Sequence, residues 1–513
     1  MAKRALIADQ LHIQSKNFPS LLEYLKQAQF EMLVVSHPAH LIAAFGDYSS
    51  STEIVPYREE LKSLTADEVF RLTEGGVACF SLCKAEMLCY LAPTDFWVGR
   101  GDYGRSEREL FDLAWAENRD VLLDNVAAVR YWFDRWRSIL QEKPVFDLAF
   151  LFSGSLIYAR VFSVLMKRRQ GMLYICESFF TGKDYYLEAR HSPLPNNSAL
   201  RSNGVYKSLD VASSGPARRG RRAALALRLA EMANKNVKQP TATGNKLFPV
   251  DTKVVAIFGQ VLNDFSLLNN GETGFHSVSF YTECIRKIIS ETDACVIFKA
   301  HPWEQKKAHI KSALTKDHLI EVFGENDRLR VVEDYPISDI IKEADFVVGI
   351  NSQSLIEAAV GGIKPIQCGK AFYAGKGFTH DVRDTNEVVD LIKALPGSYL
   401  TIDEYFHLET FLLKALDEWL IPESPALGIP RLERRLGAIK KVVGTKPVPA
   451  KQKPPVVKKE SAASIVVSKI EIEPNRTANS NLTRRKLKKL RNDPKAFFRD
   501  AKNPLIRSIA KIL

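Results

Sequence analysis

The chain has 513 residues, 46% of them hydrophobic and 26% charged, with a formal net charge of +12. That length supports about two to three domains with separate cores, and no window approaches the ~18 to 20 uninterrupted apolar residues of a membrane-spanning helix. Residues 441–513 hold 19 Lys or Arg against 5 Asp or Glu, a net of +14 that leaves about −2 for residues 1–440; a nucleic-acid enzyme lines its cleft with positive charge, so this distribution argues against nucleic acid as a partner and for a tethering tail. The start, MAKRALIADQ, lacks the apolar core of a secretory signal, so a cytoplasmic location is expected. The seven cysteines (Cys79, Cys83, Cys89, Cys176, Cys284, Cys295, Cys368) are scattered without a C-x-x-C pair and are expected to be reduced core thiols.

In chain order, EMLVVSH (31–37) predicts a strand, 107–140 one or two helices and DLAFLFSG (147–154) a second strand. Residues 155–169 have helical spacing, and MLYIC (172–176) is a short buried strand with Glu177 at its end. This β-α-β order predicts a parallel sheet with ligands at the carboxyl ends of its strands. Residues 196–248, which include the basic run 217–224, are poor in strand signals and read as the domain connection. Five strands are then predicted at 252–259, 294–300, 329–334, 345–350 and 364–369, separated by helices near 278–290, 304–314, 337–343 and 353–361, with a closing helix over 402–420. From 441 to 480 the Pro- and Lys-rich composition has no period that builds a core and predicts a flexible linker. The last segment spaces Leu482, Leu487, Leu490, Phe497, Phe498, Leu505, Ile506, Ile509 and Leu513 helically among eleven basic residues, with breaks at Pro494 and Pro504.

The strand ends carry the candidate chemistry. After 294–300 comes His301-Pro302, where an imidazole can bond a leaving phosphate; an isolated His-Pro also fits an ordinary turn. After 345–350 comes Asn351-Ser352-Gln353-Ser354 at a helix start, suited to an anion or to N-capping. Glu357, one turn on, can reach ribose hydroxyls or complement the helix dipole. The loop Phe372–Thr379 has two glycines that let a backbone approach a ligand, a weak phosphate signal on its own. Asp264 and Glu177 are the carboxylates that could stand beside an anomeric carbon, although an aspartate at 264 can equally cap the turn that follows it.

Four motifs, Gly259-Gln260-Val261 with Asp264-Phe265-Ser266, Lys299-Ala300-His301-Pro302, Ser352-Gln353-Ser354, and Phe372 through Thr379, stand in this order. As a set they resemble the capsule polysaccharide biosynthesis and export family, whose transferase members are retaining β-Kdo transferases of the GT-B type. The resemblance covers about 250–380 and extends more weakly to about 145 through Glu177. Ala300 replaces the family's usual proline and Lys376 its usual tryptophan, and the arginine that ordinarily follows the acidic segment is absent, with Lys183 nearby as a substitute cation for the sugar carboxylate.

The resemblance implies an α/β GT-B glycosyltransferase with a cleft between two Rossmann-like domains: an acceptor-side domain over 1–245 with a helical insert near 196–245, and a nucleotide-sugar domain over 246–440. A linker (441–480) and basic amphipathic helices (481–513) follow. It implies Kdo transfer from CMP-Kdo to a capsule, O-antigen or lipopolysaccharide acceptor, with Asp264 as nucleophile, Glu177 as acid/base and His301 at the phosphate. Gln260, Lys299, Pro302, Ser352, Gln353, Ser354, Glu357, Tyr373, Gly375, Gly377 and Thr379 are its donor-binding positions. No metal or other cofactor is expected, since no D-x-D pair suited to Mg²⁺ is present. The expected partners are a nucleotide sugar, a glycan acceptor, other polysaccharide assembly enzymes, and the anionic inner face of the cytoplasmic membrane through 481–513.

Overall fold

The computed structural model describes residues 3–98, 106–142, 145–169, 172–179, 181–211, 225, 240–268, 277–302, 304 and 314–437. The basic run 217–224, nearly all of the helix expected at 304–314, the linker and the C-terminal helices lie outside them, as does most of the insert at 196–245.

Fourteen strands are described: β1 Arg4–Ile7, β2 Glu31–Val34, β3 Thr73–Glu74, β4 Val77–Ala78, β5 Leu148–Phe152, β6 Met172–Ser178, β7 Asp184–Ala189, β8 Val254–Phe258, β9 Cys295–Lys299, β10 Leu329–Val332, β11 Phe346–Gly349, β12 Ile366–Gln367, β13 His380–Asp381 and β14 Ile421–Pro422. Apart from the small β3–β4 hairpin they form two six-stranded sheets. The first runs β14-β7-β6-β5-β1-β2 and the second β10-β9-β8-β11-β12-β13. The second is parallel throughout, with Ile257 level with Phe298 on one side and Val348 on the other. Its strands β8, β9 and β11 are buried along their whole length, as expected for a sheet covered on both faces.

The first sheet departs from the expected parallel order at one edge. Strand β6 is longer than predicted and takes in Glu177, and a tight turn with Gly182 at φ +68° sends the chain back as β7, antiparallel, with Glu177 opposite Tyr186. One face of this sheet packs on the helices Cys79–Leu91, Arg119–Glu142 and Ile157–Arg168. The long helix Arg119–Glu142 buries Leu122, Leu123, Val126, Val129, Trp132, Phe133 and Trp136 at three- and four-residue spacing, which is why its pattern was readable.

The closing segment crosses back from the second sheet to the first. Helix Ile402–Leu413, opened by a Thr401/Glu404 capping box, continues into a wider turn over Lys414–Trp419. The chain then returns to the first sheet, where β14 pairs antiparallel with β7 (Ile421 opposite Tyr185) and helix Pro425–Leu436 packs on helix Pro19–Gln27. Ser20 donates to the Pro422 carbonyl at 2.7 Å. A Cβ at Gly428 would stand 2.6 Å from Ser20, so glycine is what permits this close crossing. All seven cysteines are free and buried.

Candidate active site

Each large sheet reverses its winding once. In the first, β1 leads outward to β2 on one side, while β5, β6 and β7 follow on the other; in the second, β8 leads to β9 and β10, and β11 opens the opposite run. Ligands of doubly wound sheets lie outside the carboxyl ends of the strands at such reversals. The loops there are Ala8–His12 and Ser153–Ser155 in the first sheet, and Gly259–Ser266 and Ile350–Ser354 in the second. A cleft of about 460 Å³ is lined from both sheets, by Phe152, Ser153 and Glu177 on one side and by Gln260, Asp264, Lys299, His301, Pro302, Ser352, Gln353, Ser354 and Glu357 on the other.

Glu177 is half-buried at the end of β6. Burial raises its carboxyl to about 7; the Ser153 hydroxyl, the Ser178 N–H and the nearby His12 act downward, and the Asp264 carboxylate adds to the rise. The group is therefore divided between acid and base near neutrality, as proton transfer in both directions requires. Ser153 stands beside it in the left-handed region (φ +58°), followed by Gly154 at φ +76°. A non-glycine residue held there costs about 1 kcal/mol or more, a backbone state that clusters at functional sites.

Asp264 does cap the turn that follows it: one carboxylate oxygen accepts from the Ser266 N–H at 2.8 Å, and its carbonyl accepts from Leu267 and Leu268. The side chain also lines the cleft, so the capping role leaves it within reach of a ligand. Gln260 donates through Nε2 to Ser266 Oγ at 2.5 Å, and its buried Oε1 has no partner among the described residues. Asn351 ties the two loops of the second sheet by donating to the Ser266 carbonyl at 3.2 Å. Ser352 and Ser354 join hydroxyls at 2.7 Å, and Ser352 also accepts from the Ser354 N–H, a capping arrangement. Glu357 is raised to about 7 by burial alone. Lys299 is buried and donates to the Glu333 carbonyl; burial lowers its pKa, with Asp334 and Glu333 opposing. His301 and Pro302 line the cleft at the end of β9, and the His301 carbonyl accepts from the Glu304 N–H.

Five expected positions are not among the lining residues. Lys183 is exposed in the β6–β7 turn, its carbonyl accepting from the Glu423 N–H on the returning segment. Tyr373 is buried behind the serine loop and donates to the Ser352 carbonyl at 2.6 Å. Gly375 N–H and the Thr379 hydroxyl both donate to Asp381, each at 2.8 Å, and Gly377 packs against the His407 ring. Lys376, where the family has tryptophan, donates to Asn203 at 3.0 Å and lies over the Tyr206 ring. The glycine loop is thus a brace that holds the serine loop from behind, and only Phe372 of it reaches the cleft.

Sequence reading missed a group on the other wall. Asp9, wholly buried after β1, accepts from the Leu11 and His12 N–H groups through Oδ1, and from His12 Nδ1 and the Tyr158 hydroxyl through Oδ2, both at 2.5 Å. Burial pushes its carboxyl up, but the His12 and Tyr158 bonds outweigh it and the pKa lies below the ordinary value. The His12 ring stacks on Phe152, centroids 4.6 Å apart and nearly coplanar. A carboxylate three residues before a histidine, just after an apolar run, was the available signal.

A comparison with curated protein sequences found no match. Among solved structures the chain is similar to KpsC of Thermosulfurimonas dismutans described as a β-Kdo 2,4 transferase (16% identity, 52% of this chain and 79% of that one, TM-score 0.37). It is similar also to KpsC of that organism described as a β-Kdo 2,7 transferase (15% identity, 58% and 88%, TM-score 0.34), and to the glycosyltransferase SnogD of Streptomyces nogalater (12% identity, 85% and 100%, TM-score 0.30). Residues 218–390 match the profile of a family described as capsule polysaccharide biosynthesis protein. The match to that family thus covers about a third of the chain, the part that supplies the second sheet, and the two doubly wound sheets line one cleft.

Proposed function

We propose that the chain is a retaining glycosyltransferase that moves Kdo from CMP-Kdo to a growing or lipid-linked bacterial surface polysaccharide, capsule or O-antigen. The observation that carries this reading is the meeting of two carboxylates from different sheets, Asp264 and Glu177, in one cleft, close enough that the charge of the first is felt by the second. Asp264 attacks the anomeric carbon and forms a glycosyl ester as the C–O bond to the CMP phosphate breaks. His301 and the Ser352 and Ser354 hydroxyls take up the charge of the departing phosphate. The acceptor oxygen then displaces Asp264 while Glu177 takes its proton, so configuration is retained after two inversions. No step calls for a metal, and chelation is expected to leave turnover unchanged.

Incubation with CMP-Kdo followed by intact-mass measurement tests this reading. Release of CMP and a mass increase equal to one Kdo residue, absent in Asp264→Ala, are expected. A chain that consumes the donor without ever carrying the sugar has no double displacement. The exposed position of Lys183 favours a second reading, the same fold with another nucleotide sugar, because the proposed partner of the Kdo carboxylate stands in an outer turn. A panel of nucleotide sugars in the same assay separates the two. The basic tail, 481–513, fits attachment to an anionic membrane surface, which would bring the cleft to lipid-linked acceptors.

A further inference from the structure

The winding reversal of the first sheet holds a polar unit that the double displacement does not use. Asp9 receives four donors, which fills the lone-pair sites of both its oxygens. An ionised carboxylate only accepts, so the His12 nitrogen that faces it, Nδ1, carries the proton. In the neutral ring Nε2 is then a bare acceptor, and it has no partner among the described residues. The ring cannot readily turn: it lies flat on Phe152, the Asn17 amide holds the His12 carbonyl at 2.8 Å, and Asp9 is fixed in turn by Tyr158. About a quarter of the side chain is exposed, at the edge of the cleft wall formed by Phe152, Ser153 and Glu177.

We propose that His12, locked by Asp9 as the Nδ1–H tautomer, is a positioning residue for the acceptor: its Nε2 accepts a hydrogen bond from a sugar hydroxyl of the acceptor and holds that sugar at the winding reversal, beside Glu177. The proposal rests on the transferase reading above and names a binding group within it. The ligand class is a neutral, hydroxyl-bearing pyranose, because the site offers an acceptor nitrogen next to the aromatic face of Phe152. The donor phosphate belongs to the opposite wall, where His301 and the serine loop stand. The tautomer lock gives the site direction, since an imidazole turned to its Nε2–H form would present a donor instead.

The test uses the full chain with CMP-Kdo and the methyl glycosides of mannose, galactose and glucose as soluble acceptors. His12→Ala is expected to raise the acceptor KM about tenfold or more, the range of one lost hydrogen bond to a bound ligand, with the donor KM within twofold. Asp9→Asn keeps the imidazole but removes the lock, and the same rise is expected. An unchanged acceptor KM in His12→Ala, or an equal rise in the donor KM, overturns the proposal. If the unaltered chain turns over no CMP-Kdo, the donor reading fails by itself, and His12 is read from ¹⁵N spectra of the imidazoles. Those spectra are expected to show the Nδ1–H tautomer with Nε2 perturbed by at least one methyl glycoside. An Nε2–H tautomer, or an Nε2 that responds to none of the three, overturns the proposal whatever the donor does.

Discussion

Replacing Glu177 with glutamine should make the protein more stable at pH 8 while removing its activity. The fold holds this carboxyl at about 7, against an ordinary value of 4.5, chiefly by burying it. At 1.36 kcal/mol per pH unit that difference amounts to about 3 kcal/mol by which the folded state disfavours the ionised form. The sign follows from the protons bound. Below about 4.5 the carboxyl is neutral in both states and contributes nothing; between 4.5 and 7 the folded chain holds a proton that the unfolded chain has lost, so stability falls as pH rises; above 7 the whole penalty is present. Glutamine is neutral throughout and keeps the oxygen that accepts from Ser153 and Ser178. Partial screening at this half-buried site and the new amide donor reduce the gain, leaving about 2 kcal/mol at pH 8 and less than about 1 kcal/mol at pH 5. Urea unfolding of the two proteins at both pH values reads this directly as a shift of midpoint at constant slope. Transfer should drop by about 10²-fold or more in the same variant. A lower midpoint at pH 8, or a gain that does not shrink toward pH 5, refutes the argument from burial.

Asp264 separates its two roles by choice of substitute. Asn keeps the cap on the Ser266 N–H and should unfold like the unaltered chain, Ala should lose about 1 kcal/mol with the cap, and both should abolish transfer; measurable turnover in Asn would remove the nucleophile. Tyr373→Phe leaves the buried Ser352 carbonyl without its donor, so stability should fall by about 1 kcal/mol and the donor KM should rise, checked by unfolding and by initial rates at varied CMP-Kdo. Removal of residues 441–513 takes away a net +14 and should abolish sedimentation with anionic vesicles at low salt, an attraction worth about 1 kcal/mol per engaged basic residue; a full-length chain that stays in the supernatant loses the membrane role.

The second sheet was largely readable from sequence because its central strands β8, β9 and β11 are fully buried and appear as unbroken apolar runs. Each of the five predicted there exists, shorter by two to four residues than predicted. Strand ends in such a sheet become site positions by topology alone, so Gln260, Asp264, His301 and Ser352 could be placed at the cleft before any contact was known. The first sheet was harder. Strand β1 is only four residues long, RALI, and β14 is two residues that include Pro422. Neither offers a period, and their pairing depends on partners about 140 and 240 positions away in the chain. The β6–β7 hairpin was hidden because ESFFTGKDYY carries no two-residue turn signature, and Lys183 was drawn toward the site by its closeness in sequence to Glu177.

The expected positions that do not line the cleft share one physical cause. Spacing reports which side chains follow a strand, whereas the role of a polar side chain depends on how many of its hydrogen-bonding positions the fold has already filled. The hydroxyl of Thr379 is taken up by Asp381 and that of Tyr373 by Ser352, so neither was left for a ligand although both sit in a motif suited to one. Gln260 and His12 show the reverse: each has one polar atom consumed by the fold, Nε2 by Ser266 and Nδ1 by Asp9, and one left over at or beside the cleft. These unfilled acceptors belong to loops at the two winding reversals, Gln260 lining the cleft and His12 stacked on the lining residue Phe152. The glycan and nucleotide of the proposed reaction are both rich in donor groups, which is the chemistry such acceptors would satisfy.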